Sequence, residues 1–379
     1  MKPLLVVDDD AEVAEVMATA IAETGRDVIV CYDLAAAELV VETTALAAIV
    51  CDIRLTGPFR FEGLDFIEHA ARHATGAKVV LVSGTVTEEL RSEAMRRGAA
   101  AVLQKPFDME ELERRIGVET NSGEGRIIRV PALSDIVSGA ALAPMFQPIV
   151  NLETEAVLGF ESLARLGTDS LLGAPDLLFQ YAARKNAVAQ LERMCITNTF
   201  AASCDWSERR LLFINVHPAA FRDGDGLSQS IVEGAKRYRI SVDQLVVELT
   251  EQQSVHDERA VVPIIDRLRD LGVRFALDDM GMAYSHLTLI DQLRPSFLKV
   301  SQHFGTAFER DPTRSKLVRN LLSLAIDFNA ALILEGIESA STAAAARDMG
   351  IVYGQGYHFS RPMKAAAAAS WAAMSGKRS

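Results

Sequence analysis

Residues 277–287 read LDDMGMAYSHL, and the reading of this stretch decides how the longer half of the chain folds. The apolar run at 273–277 stops at two adjacent aspartates, Asp278 and Asp279. Gly281 lies in a short loop, and a helical pattern takes over from about His286. Side chains alternate along a strand, so neighbouring carboxylates share a side only where the strand is ending. At a strand's C-terminal end both can lean into one site. Two close carboxylates repel, and a divalent cation beside them is the simplest relief. The plainer alternative is an Asp-Asp turn, since Asp favours turns.

Outward from this stretch, strand-like runs fall at 145–152, 157–166, 211–216, 245–249, 273–277, 297–300, 331–334 and 353–359. Helical patterns such as 257–271 and 313–328 lie between most of them. Eight strands with interleaved helices predict a (β/α)8-type, TIM-like barrel. The first two runs have no helix between them, so an irregular start with one antiparallel strand is expected. Barrel sites lie at the C-terminal strand ends. Here those ends carry Glu161, Asn215, Glu248, Asp278, Asp279, Lys299, Glu335 and Gln355. Carboxylates and an amide oxygen are hard ligands suited to Mg²⁺ or Mn²⁺. Two such ions can polarise a phosphodiester and activate water, with Lys299 orienting that water or offsetting charge. Solvated loop acids are the bland reading, and this many at one rim weigh against it.

The segments FQPIVNL, GFESLAR, INVHP, VELTE, LDDMGMAYSHL, FLKVS, LEGIE and GQGYHFSRP resemble, in order, the motifs of the EAL domain, over about residues 135–375. EAL domains are cyclic-di-GMP phosphodiesterases or degenerate relatives. The resemblance implies Glu161, Asn215, Glu248, Asp278 and Asp279 as metal ligands for two Mg²⁺ or Mn²⁺ ions. It implies Lys299 as a water-positioning residue, with Glu335 and Gln355 in the same site and Glu251 partnering the loop after the aspartates. Gln147 and Arg165 match positions that contact the dinucleotide, and the implied product is linear pGpG. Several positions depart from the family pattern. Glu-Ala-Leu reads Glu161-Ser162-Leu163, and Lys-Ile-Asp reads Lys299-Val300-Ser301. In the loop, Met280, Met282, Ala283 and His286 replace Phe, Thr, Gly and Ser of DDFGTGYSSL. Such supporting changes cost about one to two orders of magnitude in metal affinity or activity. They point to weakened or conditional activity. The alternative is a catalytically silent cyclic-di-GMP receptor or interaction module.

The first third alternates too. Strands at 4–7, 27–32, 48–51, 78–82 and 101–103 interleave with helical patterns, which predicts a doubly wound five-stranded parallel sheet. Ligands of such sheets sit beyond the strand C-termini. Those ends carry Asp8, Asp9, Asp52, Ser83 and Lys105, a set able to hold Mg²⁺, take a phosphoryl group and steady its oxygens. Through VVDDD, CDIRL and LQKPF, residues 1–117 resemble the receiver domain of two-component response regulators. That implies Asp52 as phosphoacceptor, Asp8 and Asp9 as the acid pair for one Mg²⁺, and Ser83 and Lys105 as switch residues. It also implies a cis Lys105-Pro106 bond. Val102 stands where the family has an aromatic, and the loop after Asp52 is longer, with Thr56 where proline is common.

Residues 118–134 read as a linker, polar and Gly-bearing at ETNSGEGR; whether 127–131 pairs or stays extended is open. Residues 135–379 are the second domain. A chain of 379 residues is too long for one core, so two domains are expected. Hydrophobic content of 49% with 24% charge describes a folded globular protein. No apolar run spans a bilayer, no leader pattern opens the chain, and four cysteines lack metal or CxxC spacing, so a cytoplasmic protein is expected. A net charge of −12 disfavours a nucleic-acid polymer, and no helix-turn-helix pattern follows the linker. His217, His256, His286, His303 and His358 are scattered without metal spacing. The expectation is a response regulator in which phosphorylation of Asp52, by a histidine kinase or phosphotransfer protein, controls a cyclic-di-GMP phosphodiesterase, as a homodimer.

Overall fold

The computed structural model describes residues 2–55, 62–117, 123–138, 142–167, 171–206, 209–217, 220–221, 225–250, 258–281 and 287–375. They fall into two compact units, 1–141 with 166–187, and 142–165 with 188–379. No helix among the described residues is long and apolar enough to cross a membrane.

The first unit begins β1 (Leu4–Val7), α1 (Ala11–Glu23), β2 (Val28–Cys31), α2 (Leu34–Thr43), β3 (Ala48–Asp52) and α3 (Glu62–His73). It continues β4 (Lys78–Ser83), α4 (Glu88–Arg96), β5 (Ala101–Gln104), α5 (Met109–Ile116), β6 (Ile127–Val130) and α6 (Leu133–Ser138). The sheet order is β5-β4-β3-β1-β2-β6, and every pair is parallel. The central strands β1, β2 and β3 are buried along their whole length, as expected where helices cover both sides. Asp10, Asp33 and Thr87 cap α1, α2 and α4 by accepting main-chain N–H bonds.

The sheet has six strands, one more than the five expected. The extra strand, β6, comes from the stretch read as linker. It covers the free edge of β2, pairing Val28 with Ile127 through Cys31 with Val130. Val28 N donates to Arg126 O at 2.8 Å, and Arg126 N to Asp27 Oδ1 at 2.9 Å, which sets the register.

The chain continues β7 (Leu142–Asn151), β8 (Val157–Leu166), α7 (Pro175–Arg184), α8 (Val188–Ser203), β9 (Leu211–Asn215), α9 (Asp225–Arg237) and β10 (Leu245–Thr250). Then follow α10 (Glu258–Asp270), β11 (Arg274–Met280), α11 (Leu287–Leu293), β12 (Phe297–Val300), α12 (Gln302–Gly305) and α13 (Pro312–Asp327). The last elements are β13 (Ala331–Leu334), α14 (Ala340–Asp348), β14 (Tyr353–Gly354) and α15 (Ala365–Ser375). Helix α7 packs within the first unit, on α2. Buried Tyr181 donates from its hydroxyl to Asp33 Oδ2 at 2.6 Å. Arg184 reaches Glu38 at 3.0 Å and Glu42 at 2.5 Å.

The second unit is a closed eight-stranded barrel, in the order β10-β11-β12-β13-β14-β7-β8-β9. Strand β7 runs antiparallel to β14, which is the expected irregular start. Ile149, Leu211, Phe213, Val246, Ala276, Phe297 and Ile333 form a buried apolar cluster within it. The period of two then fixes what lies one layer further along each strand. Two residues beyond Phe213, Val246, Ala276, Phe297 and Ile333 come Asn215, Glu248, Asp278, Lys299 and Glu335. On antiparallel β7 the count reverses, and Gln147 precedes Ile149 by two.

Two strand expectations need correction. The run read as ending at Leu277 continues through both aspartates to Met280. The run at 353–359 is a strand only at Tyr353–Gly354. Beyond it, Ile337 N donates to Gln355 O and His358 N donates to Ile337 O, so the chain turns against residue 337. Gly356 makes this approach possible, because a Cβ there would lie 2.1 Å from Ile337 O.

Candidate active site

The two adjacent aspartates share a site by a device the sequence does not reveal. Residues 277 and 280 of β11 pair with 298 and 300 of β12, so β11 carries one extra residue. Asp279 takes that position with φ +57°, a conformation uncommon for a side-chain-bearing residue outside special sites. Its N–H donates to Asp278 Oδ1 at 2.9 Å. The bulge removes the alternation that would send the two carboxylates apart. Next in the chain, Gly281 has φ +99°, and a Cβ there would lie 3.0 Å from the Phe304 ring.

Around the aspartates, two sets of carboxylates each bring their oxygens within 4.8 Å of one another: Glu161, Glu248 and Asp278, and Asp278, Asp279 and Glu335. Asp278 belongs to both. Lys299 lies among them, 0% exposed. Its Nζ is 2.8 Å from Glu335, 3.0 Å from Glu248, 3.3 Å from Glu161 and 3.4 Å from Asp278. An amide layer closes one side. Asn215 Nδ2 donates to Glu161 Oε1 at 2.9 Å, and Gln355 Nε2 to Glu161 Oε2 at 2.6 Å and to Gln147 Oε1 at 3.1 Å. Gln147 Nε2 in turn donates to Ser360 O at 3.2 Å.

One ammonium cannot balance this many carboxylates out of water, and the excess appears as displaced protonation equilibria. Burial, with repulsion from Glu161 and Asp278, pushes Glu248 well above the carboxylate range. Burial raises Asp278 to about 6 and Glu335 to about 8. Burial would raise Glu161 too, but Lys299 and the hydrogen bonds from Asn215 and Gln355 outweigh it and hold that carboxyl below its ordinary value. Both oxygens of Glu248 and Nζ of Lys299 are buried without a hydrogen bond of good geometry. Orphaned buried oxygens and an all-oxygen donor set fit hard divalent cations.

The Arg165 guanidinium donates to Ala164 O at 2.9 Å. Ser162 fits because its hydroxyl pairs with that of Thr199 on α8 at 2.7 Å, both buried. Ser301, where the family carries an acid, precedes α12 and its main-chain oxygen accepts from Phe304 N at 2.9 Å. Glu251, Met282, Ala283 and His286 lie outside the described residues.

In the first unit, Asp8, Asp52 and Lys105 meet beyond the strand ends. Lys105 Nζ is 2.6 Å from Asp8 Oδ2 and 2.5 Å from Asp52 Oδ2. Burial raises Asp8 despite these contacts. Asp9 is exposed at the same end, and Ser83 Oγ donates to Thr85 O at 3.0 Å. Lys105-Pro106 is cis, as expected. Buried Val102 keeps the aromatic's place without its ring.

Sequence reasoning passed over Glu192, because one glutamate in a helix carries no pattern. It is 1% exposed on α8 and accepts a hydrogen bond from His217 N, two residues beyond Asn215. Burial raises its carboxyl from 4.5 to about 8. The folded state therefore keeps a proton that the unfolded chain loses, and stability falls as pH rises from about 4.5 through 8. Glu192→Gln should flatten that slope. It should add roughly 1–3 kcal/mol at pH 8 and almost nothing at pH 4.5, read by urea unfolding at the two pH values.

Both parts of the chain match known families. Residues 131–362 match the EAL domain family and residues 4–117 the response regulator receiver domain family. The cyclic di-GMP phosphodiesterase RocR of Pseudomonas aeruginosa is 26% identical over 340 residues, 83% of each chain. The probable cyclic di-GMP phosphodiesterase PdeB of Escherichia coli K12 is 27% identical over 235 residues, 61% of this chain but only 44% of that one. A standalone EAL protein from Vibrio cholerae O395, solved with c-di-GMP bound, is similar at 27% identity and TM-score 0.52, covering 59% of this chain and 93% of the other.

Proposed function

Because the chain belongs to the EAL domain family and carries a receiver domain ahead of it, we propose that it hydrolyses cyclic-di-GMP to linear pGpG, under control of phosphorylation at Asp52. The observation that supports this best is the pair of carboxylate triads sharing Asp278 around buried Lys299. Glu161, Asn215, Glu248, Asp278 and Asp279 would hold two ions, Mg²⁺ or Mn²⁺. When bound, these supply the positive charge that polarises a phosphodiester and eases deprotonation of water. Lys299 positions the attacking water and meets the charge that develops on the phosphate oxygens. Glu335, 2.8 Å from Lys299 Nζ, fixes the direction of the ammonium and can hold a proton. Gln147, Gln355 and Arg165 bind the dinucleotide, Arg165 by turning its fork from Ala164 O to a phosphate. Attack forms a P–O bond to the water oxygen and breaks the ester bond to one ribose 3′ oxygen, which leaves protonated. The ring opens once.

In the receiver, Asp8 and Asp9 hold one Mg²⁺, Asp52 accepts the phosphoryl group from a histidine kinase or phosphotransfer protein, and Ser83 and Lys105 steady its oxygens. Chain continuity supports coupling: β8, with Glu161 and Arg165, leads into α7, which α2 grips through Asp33, Glu38 and Glu42. A symmetric homodimer completes the proposal and is checked by sedimentation.

The purified chain, given cyclic-di-GMP with Mg²⁺ or Mn²⁺, should release linear pGpG. Dinucleotide bound but intact under every metal and phosphodonor condition would overturn the reading and leave a receptor. With acetyl phosphate the wild-type rate should change several-fold, whereas Asp52→Asn should not respond. An equal response in both proteins would remove Asp52 from the account.

A further inference from the structure

Helix α3 presents His69 and His73 one turn apart, so both imidazoles leave the same side of the helix. Their ring centroids are 4.3 Å apart. Glu42, at the end of α2, faces them, with Oε1 3.1 Å from His69 Nε2. One ligand atom from each of Glu42, His69 and His73 lies within 4.8 Å of the other two.

Three details make this more than a surface cluster. His69 Nε2 is buried, yet no hydrogen bond of good geometry satisfies it. His73 Nδ1 is 3.0 Å from the main-chain oxygen of His69. A proton on Nδ1 given to that carbonyl leaves the lone pair on Nε2, the arrangement by which metal-binding histidines are oriented. Glu42 is also held from behind, since Arg184 donates to its other oxygen, Oε2, at 2.5 Å. That hydrogen bond keeps the carboxyl below its ordinary value, so Glu42 is ionised at neutral pH.

We propose that Glu42, His69 and His73 form a binding site for a borderline divalent transition ion, Zn²⁺ first, separate from both carboxylate sites. Two imidazoles and a carboxylate are a zinc donor set that leaves a fourth position for water. The imidazoles also select against Mg²⁺, which takes oxygen ligands. A bound ion would tie α2 to α3 and, through the carboxylate shared with Arg184, to α7. Ligand binding to the folded state alone would then stabilise the first unit.

The test uses the full chain in excess Mg²⁺, which fills the hard-oxygen sites. Zn²⁺ is added and followed by calorimetry and by ¹⁵N-correlated spectra of the histidine rings. Wild type should bind one more Zn²⁺ equivalent than His73→Ala or His69→Ala. Two ring-nitrogen signals, assigned from those variants, should move as Zn²⁺ binds. The unfolding midpoint of the first unit should rise more with Zn²⁺ in wild type than in either variant. His73 is exposed and His69 half-buried, and circular dichroism confirms that the variants fold. Equal stoichiometry in all three proteins, with ring signals that answer to pH but not to Zn²⁺, would overturn the site. It would leave only the 3.1 Å contact between His69 and Glu42.

Discussion

Lys299→Met should reduce cyclic-di-GMP hydrolysis by roughly 10²–10³-fold, the scale of losing one preorganised charge stabiliser. Its second effect falls on the fold. Lys299 is wholly buried within 3.4 Å of four acidic groups, and removing it strips the counter-charge from Glu161, whose carboxyl it helps to hold below its ordinary value. Losing one partner of a buried ion pair costs about 3–5 kcal/mol. The metal-free variant should be destabilised by that order in urea. Because divalent ions bind the folded state, Mn²⁺ should restore more stability to the variant than it adds to wild type. Activity should not return with stability, since the water-positioning group is gone. A variant as stable as wild type without metal would show that Lys299 balances little charge in the cluster.

Asp278→Asn should do more to the chemistry and less to the fold. Asp278 is the one residue common to both triads, so under the two-ion proposal the change would weaken both positions at once. Activity should fall by roughly a thousandfold or more. Metal-free stability should hold or rise, because burial already raises this carboxyl to about 6 and the amide removes one charge from the cluster. Asp279→Asn touches one triad only and should lose less. The ordering, with Asp278 far worse than Asp279, is the signature of a shared ligand. Equal losses in kcat with unchanged metal dependence would contradict it.

Much of this site is legible in the sequence because barrel strands alternate. An apolar residue packed inward predicts its neighbour two positions on, and Asn215, Glu248, Asp278, Lys299 and Glu335 all follow that rule. Gln147 obeys it in reverse, on the antiparallel strand. Asp279 breaks it. Its place depends on a bulge and a positive φ, and a conformation of that kind leaves no periodic trace in the residues. Lys299 was legible as a site residue but not as the neighbour of four acids, because its contacts come from β8, β10, β11 and the residue just after β13. The sixth strand of the first unit was left open for a similar reason. Ile127–Val130 has strand composition, but its partner, the free edge of β2, is a tertiary fact. The same holds for α7, which lies within residues matched to the EAL domain family yet packs against α2 in the first unit. The sequence reading passed over the spacing of four between His69 and His73, and Glu42 joins them only through the packing of α2 on α3.

The most direct test is the rate of cyclic-di-GMP cleavage by the full chain as free Mn²⁺ is raised, with the product identified by chromatography. Two ions sharing Asp278 predict linear pGpG and a rate that climbs more steeply than first order at low Mn²⁺, with that steepness lost in Asp278→Asn. A cyclic dinucleotide that binds tightly yet remains intact at every Mn²⁺ concentration would contradict the account.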